Sequence, residues 1–198
     1  MKKQSALAVL FLTAGISSAA GPTKIRIFPV FVDVVPIEKK SAPLVYISNE
    51  GRHTLTFEAV SAGEVQAVFP PVATIQPGKR QAFRLSVPAV APGEETKAGA
   101  VKFIQISAKD FEEAAKSGAA KTELVVDVPV FANAPDATEK LVRIGRTLRN
   151  VGTKQVVISR VGDRNIHARL LPGAEIEVPG GPVFAGEREI EVGGGDEA

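Results

Sequence analysis

Residues 122–135 read TELVVDVPVFANAP, an alternation of apolar side chains that is typical of a β-strand. Successive side chains of a strand point to opposite faces of the sheet. One face of this strand therefore carries Leu124, Val126, Val128 and Val130. Pro129, on the opposite face, has no N–H for the hydrogen-bond ladder, which favours a position at the edge of a sheet. Such an apolar edge is either covered by the rest of the protein or left open to pair with another chain.

Similar short apolar segments recur along the chain between turns rich in Gly, Pro and Asn. Many short strands with this punctuation indicate an all-β sandwich or barrel rather than a parallel sheet with crossover helices. We predict strands at residues 25–35, 44–48, 55–59, 65–69, 82–87, 101–107, 141–149, 155–160, 166–171, 176–178 and 187–192. Residues 110–115 (DFEEAA) are helix formers, and we expect a single helical turn or a loop there.

The predicted strands form two blocks on either side of residues 135–138 (PDAT), which have the composition of a linker. The turns NEG at residues 49–51 and NVG at residues 150–152 occupy comparable places in the two blocks, which indicates two related sandwich domains. The second block is near the lower size limit for an independent core. We predict an N-terminal domain at residues 21–135, a small C-terminal domain at residues 136–193 and a flexible tail at residues 194–198.

The first twenty residues have the composition of a secretory signal peptide. Lys2 and Lys3 are followed by an apolar, uncharged run at residues 6–16, and residues 18–20 (SAA) supply small side chains for cleavage after Ala20. The apolar run is shorter than the ~20 residues that a membrane-spanning helix needs. We therefore predict that residues 1–20 are removed and that the mature chain is soluble and exported; the alternative is an uncleaved N-terminal anchor.

Charge and cysteine content exclude several classes of function. Lys2 and Lys3 account for the whole formal net charge of +2, and the remaining charges are interspersed. This pattern does not predict a nucleic-acid partner or a membrane-binding patch. The chain has no cysteine, which excludes disulfides and thiolate metal sites, so its stability must come from packed cores.

The sequence carries no pattern typical of an enzyme. His53 and His167, the only histidines, lie in separate blocks without the spacing of metal ligands. A GxSxG nucleophile elbow and the glycine-rich phosphate loops are missing from the sequence. Tyr46 is the only tyrosine and there is no tryptophan, so no aromatic platform for a sugar or base is present. We predict a protein that is not an enzyme, with no metal, no cofactor and no small-molecule substrate.

Several short motifs resemble those of periplasmic pilus-assembly chaperones of the chaperone–usher pathway. Residues 69–71 (FPP), 75–78 (IQPG) and 81–85 (QAFRL) resemble the PP…PG…R-[L/I] run of the first domain in that family. Residues 44–51 (LVYISNEG) resemble its early strand and Asn-containing turn. In the second block, residues 148–152 (LRNVG) and 170–173 (LLPG) resemble turns of the second domain. The similarity spans most of the chain beyond the signal peptide.

The resemblance implies two immunoglobulin-like β-sandwich domains and a chaperone function. Chaperones of this family bind a pilus or fibre subunit that lacks its final strand, and they deliver it to an outer-membrane usher. They lend the subunit their own last first-domain strand, whose alternating apolar side chains fill its open groove. The resemblance assigns this donor role to Leu124, Val126, Val128 and Val130. Arg84, within QAFRL, matches an arginine of the family motif and is the candidate anchor for the subunit's carboxylate.

The chain also departs from the pattern of the family. Many members place basic residues in the first strand and near the end of the donor strand, whereas this chain has Val32 and Val34 in the first region and Pro129 in the second. The alternative prediction is an exported immunoglobulin-like structural or adhesive module that binds no subunit. A chaperone requires an accessible edge at the Leu124 strand, whereas a structural module should cover that edge.

Overall fold

The computed structural model describes residues 24–35, 42–106 and 124–194. Every regular element in these ranges is a β-strand. The described residues form two compact units: the first contains residues from 24–89 and 97–132, and the second contains residues 90–96 and 133–194. The predicted signal peptide, the segment 110–115 and residues 195–198 lie outside the described residues.

The first unit is a sandwich of two sheets, of four and five strands. Its strands are β1 (Ile25–Phe28), β2 (Val32–Val34), β3 (Leu44–Asn49), β4 (Leu55–Gly63), β5 (Ala67–Phe69), β6 (Val72–Ile75), β7 (Arg80–Ser86), β8 (Lys97–Ile106) and β9 (Val125–Ala132). The four-stranded sheet has the order β1-β3-β7-β5, and the five-stranded sheet has the order β2-β9-β8-β4-β6. Inward-facing residues of both sheets form one core, in which Phe83 and Phe103 meet edge to face with ring centroids 4.9 Å apart.

The prediction of one strand over residues 25–35 is wrong. The segment forms two strands that belong to different sheets, because β1 pairs with β3 whereas β2 pairs in parallel with β9. Pro29 lies directly after β1 and cannot donate to a ladder, so the pairing with β3 ends there. This change of sheet brings β2 beside the end of β9.

The second unit is a smaller sandwich of two four-stranded sheets. Its strands are β10 (Leu141–Ile144), β11 (Thr147–Asn150), β12 (Val156–Val161), β13 (Arg164–Leu170), β14 (Glu175–Glu177), β15 (Val183–Ala185), β16 (Arg188–Ile190) and β17 (Val192–Gly194). The sheet orders are β14-β11-β10-β17 and β13-β12-β15-β16. Both sheets contribute to a separate core that includes Leu148, Ile158 and Val183.

Within the residues that are described, no helix is long and apolar enough to cross a membrane.

The predicted strand at residues 141–149 is a hairpin. The strands β10 and β11 pair antiparallel, with Ile144 opposite Thr147, so only two residues connect them. Gly145, with φ of 57°, supplies the left-handed backbone conformation that so short a turn requires. This turn was not predicted because apolar side chains continue on both sides of it.

An asparagine at the start of each Asn-x-Gly turn is buried and fully bonded. The Asn49 amide donates to the carbonyl oxygens of His53 and Ile75, at 2.8 and 2.9 Å. Its Oδ1 accepts from the Gly51 N–H at 3.0 Å. The Asn49 carbonyl accepts from the N–H of Gly78 at 2.8 Å. One side chain thus ties the turn to the neighbouring strand end in the first unit.

The second unit repeats this arrangement. The Asn150 amide donates to the carbonyl oxygens of Lys154 and Leu170, at 2.8 and 3.0 Å. Its Oδ1 accepts from the Gly152 N–H at 3.0 Å. The Asn150 carbonyl accepts from the N–H of Gly173 at 2.8 Å. The prediction that the two Asn-x-Gly turns occupy comparable places is therefore confirmed.

Candidate functional site

The strand β9 has two neighbours over part of its length and one neighbour over the rest. Its whole length pairs antiparallel with β8, from Val125 opposite Ile104 to Ala132 opposite Lys97. The short strand β2 covers its other side only from Val130 to Ala132. Over residues 125–129, β8 is the only strand that pairs with β9 in the described part of the chain. We call residues 125–129 the open edge.

The backbone of the open edge has a defined polarity. The N–H of Gln105 donates to the carbonyl of Leu124 at 2.9 Å, so the backbone groups of Leu124 point toward β8. Backbone groups alternate in direction along an antiparallel ladder. The N–H and C=O groups of Val125 and Asp127 therefore point away from β8, into the unpaired side. Pro129 has the same direction, so its missing N–H removes no bond from the β8 ladder.

Among the described strands, residues 125–129 therefore have the edge position that Pro129 predicted. The prediction is wrong for residues 130–132, where β2 forms a parallel pair with β9. No sequence signal pointed to this pair, because it depends on the break at Pro29 and on the change of sheet that follows it.

The four apolar residues predicted to fill a subunit groove differ in exposure. Val128 and Val130 are 0% and 1% exposed and belong to the core of the first unit. Leu124 and Val126 are only partly buried, and Leu124 packs against the margin of the same core. Two of the four side chains therefore already fill this protein's own sandwich, and two have surface left for a partner.

The outward face of the open edge is exposed to solvent, which explains why Asp127 lies among valines. Asp127 is exposed and lies directly opposite the exposed Lys102 of β8. Opposite charges at such cross-strand positions stabilise a sheet by a fraction of a kcal/mol, about 0.2–1. Val125, on the same face, is 44% exposed.

Arg84 does not lie near the open edge. It belongs to β7, in the four-stranded sheet, where Phe83 and Leu85 on either side of it point into the core. Its own side chain is exposed on the outward face of that sheet. The open edge belongs to the five-stranded sheet on the other side of the core. The structure therefore does not bring the predicted carboxylate anchor together with the predicted donor strand.

The remaining predicted positions lie on the surface or in the core. His53 and His167 are both exposed, and His167 has a left-handed backbone with φ of 52°. Val32, which takes the place of a basic residue of the family, is buried in the first core. No cluster of three or more His, Asp or Glu that could hold a metal ion is found within residues 24–35, 42–106 and 124–194.

Comparison with known sequences yields no match, either to a family model or to a curated protein. Solved structures do match. The periplasmic chaperone SfaE aligns with a TM-score of 0.60 at 14% identity, over 81% of this chain and 90% of that chain. A structure of the Salmonella enterica SafA pilin in complex with the SafB chaperone aligns with a TM-score of 0.59 at 13% identity, over 83% and 88%.

A third similar structure is a chaperone–tip adhesion subunit pre-assembly complex, CsuC–CsuE, from the archaic chaperone-usher Csu pili of Acinetobacter baumannii. It aligns with a TM-score of 0.58 at 13% identity, over 86% of this chain and 99% of that chain. At identities this low the likeness establishes the fold. The prediction of an all-β chain with two immunoglobulin-like sandwiches is confirmed, and this chain has the fold of the periplasmic pilus chaperones.

Proposed function

We propose that the protein is a periplasmic chaperone that binds pilus or surface-fibre subunits through the open edge and delivers them to an outer-membrane usher. The open edge is the observation that carries this proposal, because it offers unpaired backbone groups beside partly exposed apolar side chains. The fold supports it, since two of the similar structures are complexes of a chaperone with a pilin or a tip adhesion subunit.

The main chain of the open edge provides the first part of the binding energy. The N–H and C=O groups of Val125 and Asp127 can bond to a strand added beside β9. Each such bond contributes about 0.5–1.5 kcal/mol net. Pro129 offers no donor and the pairing of β9 with β2 begins at Val130, so the added strand is limited to about five residues, or about 16 Å.

The side chains provide a second part of similar size. Leu124 and Val126 lie on the face that continues the core, where the open groove of an incomplete subunit would receive them. Complete burial of an aliphatic side chain contributes about 1.5–3 kcal/mol, before the costs of ordering the complex. Val128 and Val130 of the predicted donor set support the strand from within the first core. Since main-chain and side-chain terms are comparable, both are needed for tight binding.

The binding role requires no catalytic step, metal or cofactor. We propose that residues 1–20 direct export and are removed, and that the mature chain acts in the periplasm. Its partners would be fibre subunits and the usher, with no nucleic acid and no small-molecule substrate.

Hydrogen exchange of individual backbone amides tests whether the open edge is unpaired in the free protein. In the free protein, we expect fast exchange at Val125 and Asp127, whose N–H groups are unpaired, and slow exchange at Val126 and Val128, whose N–H groups face β8. Addition of a refolded fibre subunit that lacks its final strand should protect Val125 and Asp127. Slow exchange at both residues in the free monomer would mean a covered edge and would favour the structural-module alternative.

Two neighbouring valines provide a matched pair of variants for subunit capture. Val126→Glu places a charge on the face that enters the groove, so we expect at least a hundredfold weaker capture with the fold retained. Val125→Glu places the same charge on the solvent-exposed face of the same strand, and we expect subunit affinity to change less than threefold. Equal capture by the two variants would show that the proposed register is wrong.

A further inference from the structure

Gln155 is buried in the second unit with a side-chain amide that no described residue satisfies. It is 2% exposed and lies directly before β12. Neither its Nε2 nor its Oε1 has a hydrogen-bond partner among the described residues. A glutamine amide has two N–H donors and a carbonyl oxygen with two lone pairs. The whole bonding capacity of this side chain is therefore unused by the described part of the protein.

The side chain of Gln155 points away from the apolar core of the second unit. Val156, the next residue, is fully buried in that core. Successive side chains of an extended chain point to opposite sides. Gln155 therefore lies on the other side of the chain from the core, and the apolar side chains of the core do not explain its burial.

The Thr96 hydroxyl forms the centre of a polar cluster beside Gln155. Its oxygen accepts from the backbone N–H of Gln155 at 3.1 Å, and the hydroxyl donates to Oδ1 of Asn133 at 2.7 Å. The backbone N–H of Thr96 donates to the carbonyl of Thr153 at 2.8 Å. Asn133 is itself 2% exposed. Three separate stretches of the chain thus bring polar groups together beside the backbone of Gln155.

A buried amide without any partner is strongly unfavourable, because folding removes its hydrogen bonds to water and returns none. Nearly all buried polar groups of native proteins are bonded, either to the protein or to ordered water. Internal water occupies sites that are polar, where it typically forms about three hydrogen bonds. We infer that the second unit binds internal water at Gln155, with water as the acceptor for Nε2 and as the donor to Oε1.

This water site has a structural role that is separate from subunit binding. It lies where segment 90–96 joins the second unit, because the backbone of Gln155 is bonded to Thr96 of that segment. Water bound to the side chain of Gln155 would hold this residue in place and with it the bond to Thr96. The inference goes beyond the proposed function and holds whether or not the open edge captures a subunit.

Nuclear magnetic resonance of the mature chain, labelled with ¹⁵N in its glutamine side chains, tests the inference. A water molecule that stays bound longer than the protein takes to tumble gives NOE and ROE signals of opposite sign, whereas surface hydration does not. The ROE signal also separates bound water from direct proton exchange. We expect the Gln155 amide to show long-lived water. Gln76, an exposed glutamine, is the control and should show surface hydration only.

A pair of methionine variants provides an independent measurement. Gln155→Met nearly keeps the shape of the side chain and removes its hydrogen bonds. If the amide is bonded to water, we expect the thermal midpoint to stay the same or fall. Relief of an amide without a partner would instead raise the midpoint, by about 4 °C or more. Gln76→Met is the matched control and should shift the midpoint by less than about 1 °C.

Either measurement can overturn the inference. The absence of a long-lived water signal at the Gln155 amide would show that no water is held there. A higher thermal midpoint for Gln155→Met would show that the amide has no partner in the folded protein. The spectra are recorded on the unmodified sequence, so they decide the question even if Gln155→Met does not fold.

Discussion

The turns at Asn49 and Asn150 are built alike, yet they belong to units whose sheet edges differ. In both units a buried asparagine donates to the carbonyl four residues further along the chain and to the carbonyl at the end of a distant strand. In both, its own backbone carbonyl accepts from the glycine of a distant Pro-Gly turn, Gly78 or Gly173. The same local device therefore fixes the meeting point of strands in each sandwich.

The edges of the second unit are short, charged or distorted. Its outermost strands β14, β16 and β17 have three residues each. The longer edge strand β13 contains a register shift against β12 and the left-handed His167. These features are the usual means by which proteins prevent an edge from pairing with another chain. The first unit, in contrast, leaves one side of β9 without a described partner strand over residues 125–129, while β8 pairs with the other side. The two units thus share a framework and differ in the treatment of one edge, which in the first unit is the proposed subunit-binding site.

Removal of the two asparagines should have the largest effect on stability. Asn49→Ala or Asn150→Ala leaves buried backbone groups without partners, and we expect each to lower the free energy of unfolding by about 3 kcal/mol. Tyr46 fluorescence reports unfolding of the first unit, and far-ultraviolet circular dichroism reports both. If the units are self-contained, Asn49→Ala alone will shift the Tyr46 transition in urea. An equal shift from Asn150→Ala would contradict the independence of the two sandwiches.

Truncation of the valines along β9 should separate stability from binding. Val128→Ala removes two buried methyl groups from the first core, and we expect a loss of about 2 kcal/mol in unfolding free energy. Val126→Ala removes a partly exposed side chain and should cost less than half as much, while it weakens subunit capture. Urea unfolding together with a capture assay gives both values. Equal destabilisation by the two truncations would show that Val126 also belongs to the core.

Acid should weaken the second unit through the ion pairs of Glu139. Glu139 lies 3.0 Å from Lys154 Nζ and 2.5 Å from Arg188 Nη2. Partial burial alone would raise the pKa of Glu139, but the hydrogen bonds from Arg188 and Lys154 and their positive charges hold its pKa below the usual 4.5. This lowered pKa means that the ionised form stabilises the fold above pH 4.5, and that the contribution is lost as pH falls through the lowered value.

The variant Glu139→Gln measures this contribution. At pH 6 we expect it to be less stable than the unmodified protein by less than about 1 kcal/mol, because the pairs are partly exposed. The difference should shrink as the pH falls from 4.5 toward 3, with the Tyr46 transition of the first unit unaffected by the substitution. A difference that stays constant between pH 6 and pH 3 would show that the ion pairs do not contribute.

The alternation of residues 124–130 was sufficient to predict a strand, its core-facing side and an edge position. The Asn-x-Gly turns were sufficient to predict two related sandwiches, since their hydrogen bonds are local or end at a recurring Pro-Gly turn. Boundaries were less predictable where a short turn interrupts an apolar run, as at Gly145. The predicted role of Arg84 is a different case, because its position in the chain does not reveal which sheet carries it.

The sequence by itself determined the all-β class, the two sandwiches and the composition of each strand face, because alternation and turn chemistry act over a few residues. Only the tertiary structure decided that β2 covers Val130 to Ala132 and leaves residues 125–129 open. It also decided that Arg84 lies on the opposite sheet from that edge. Both outcomes depend on the pairing of segments far apart in the chain. Such pairing follows from packing of the whole core, which no single stretch of sequence encodes.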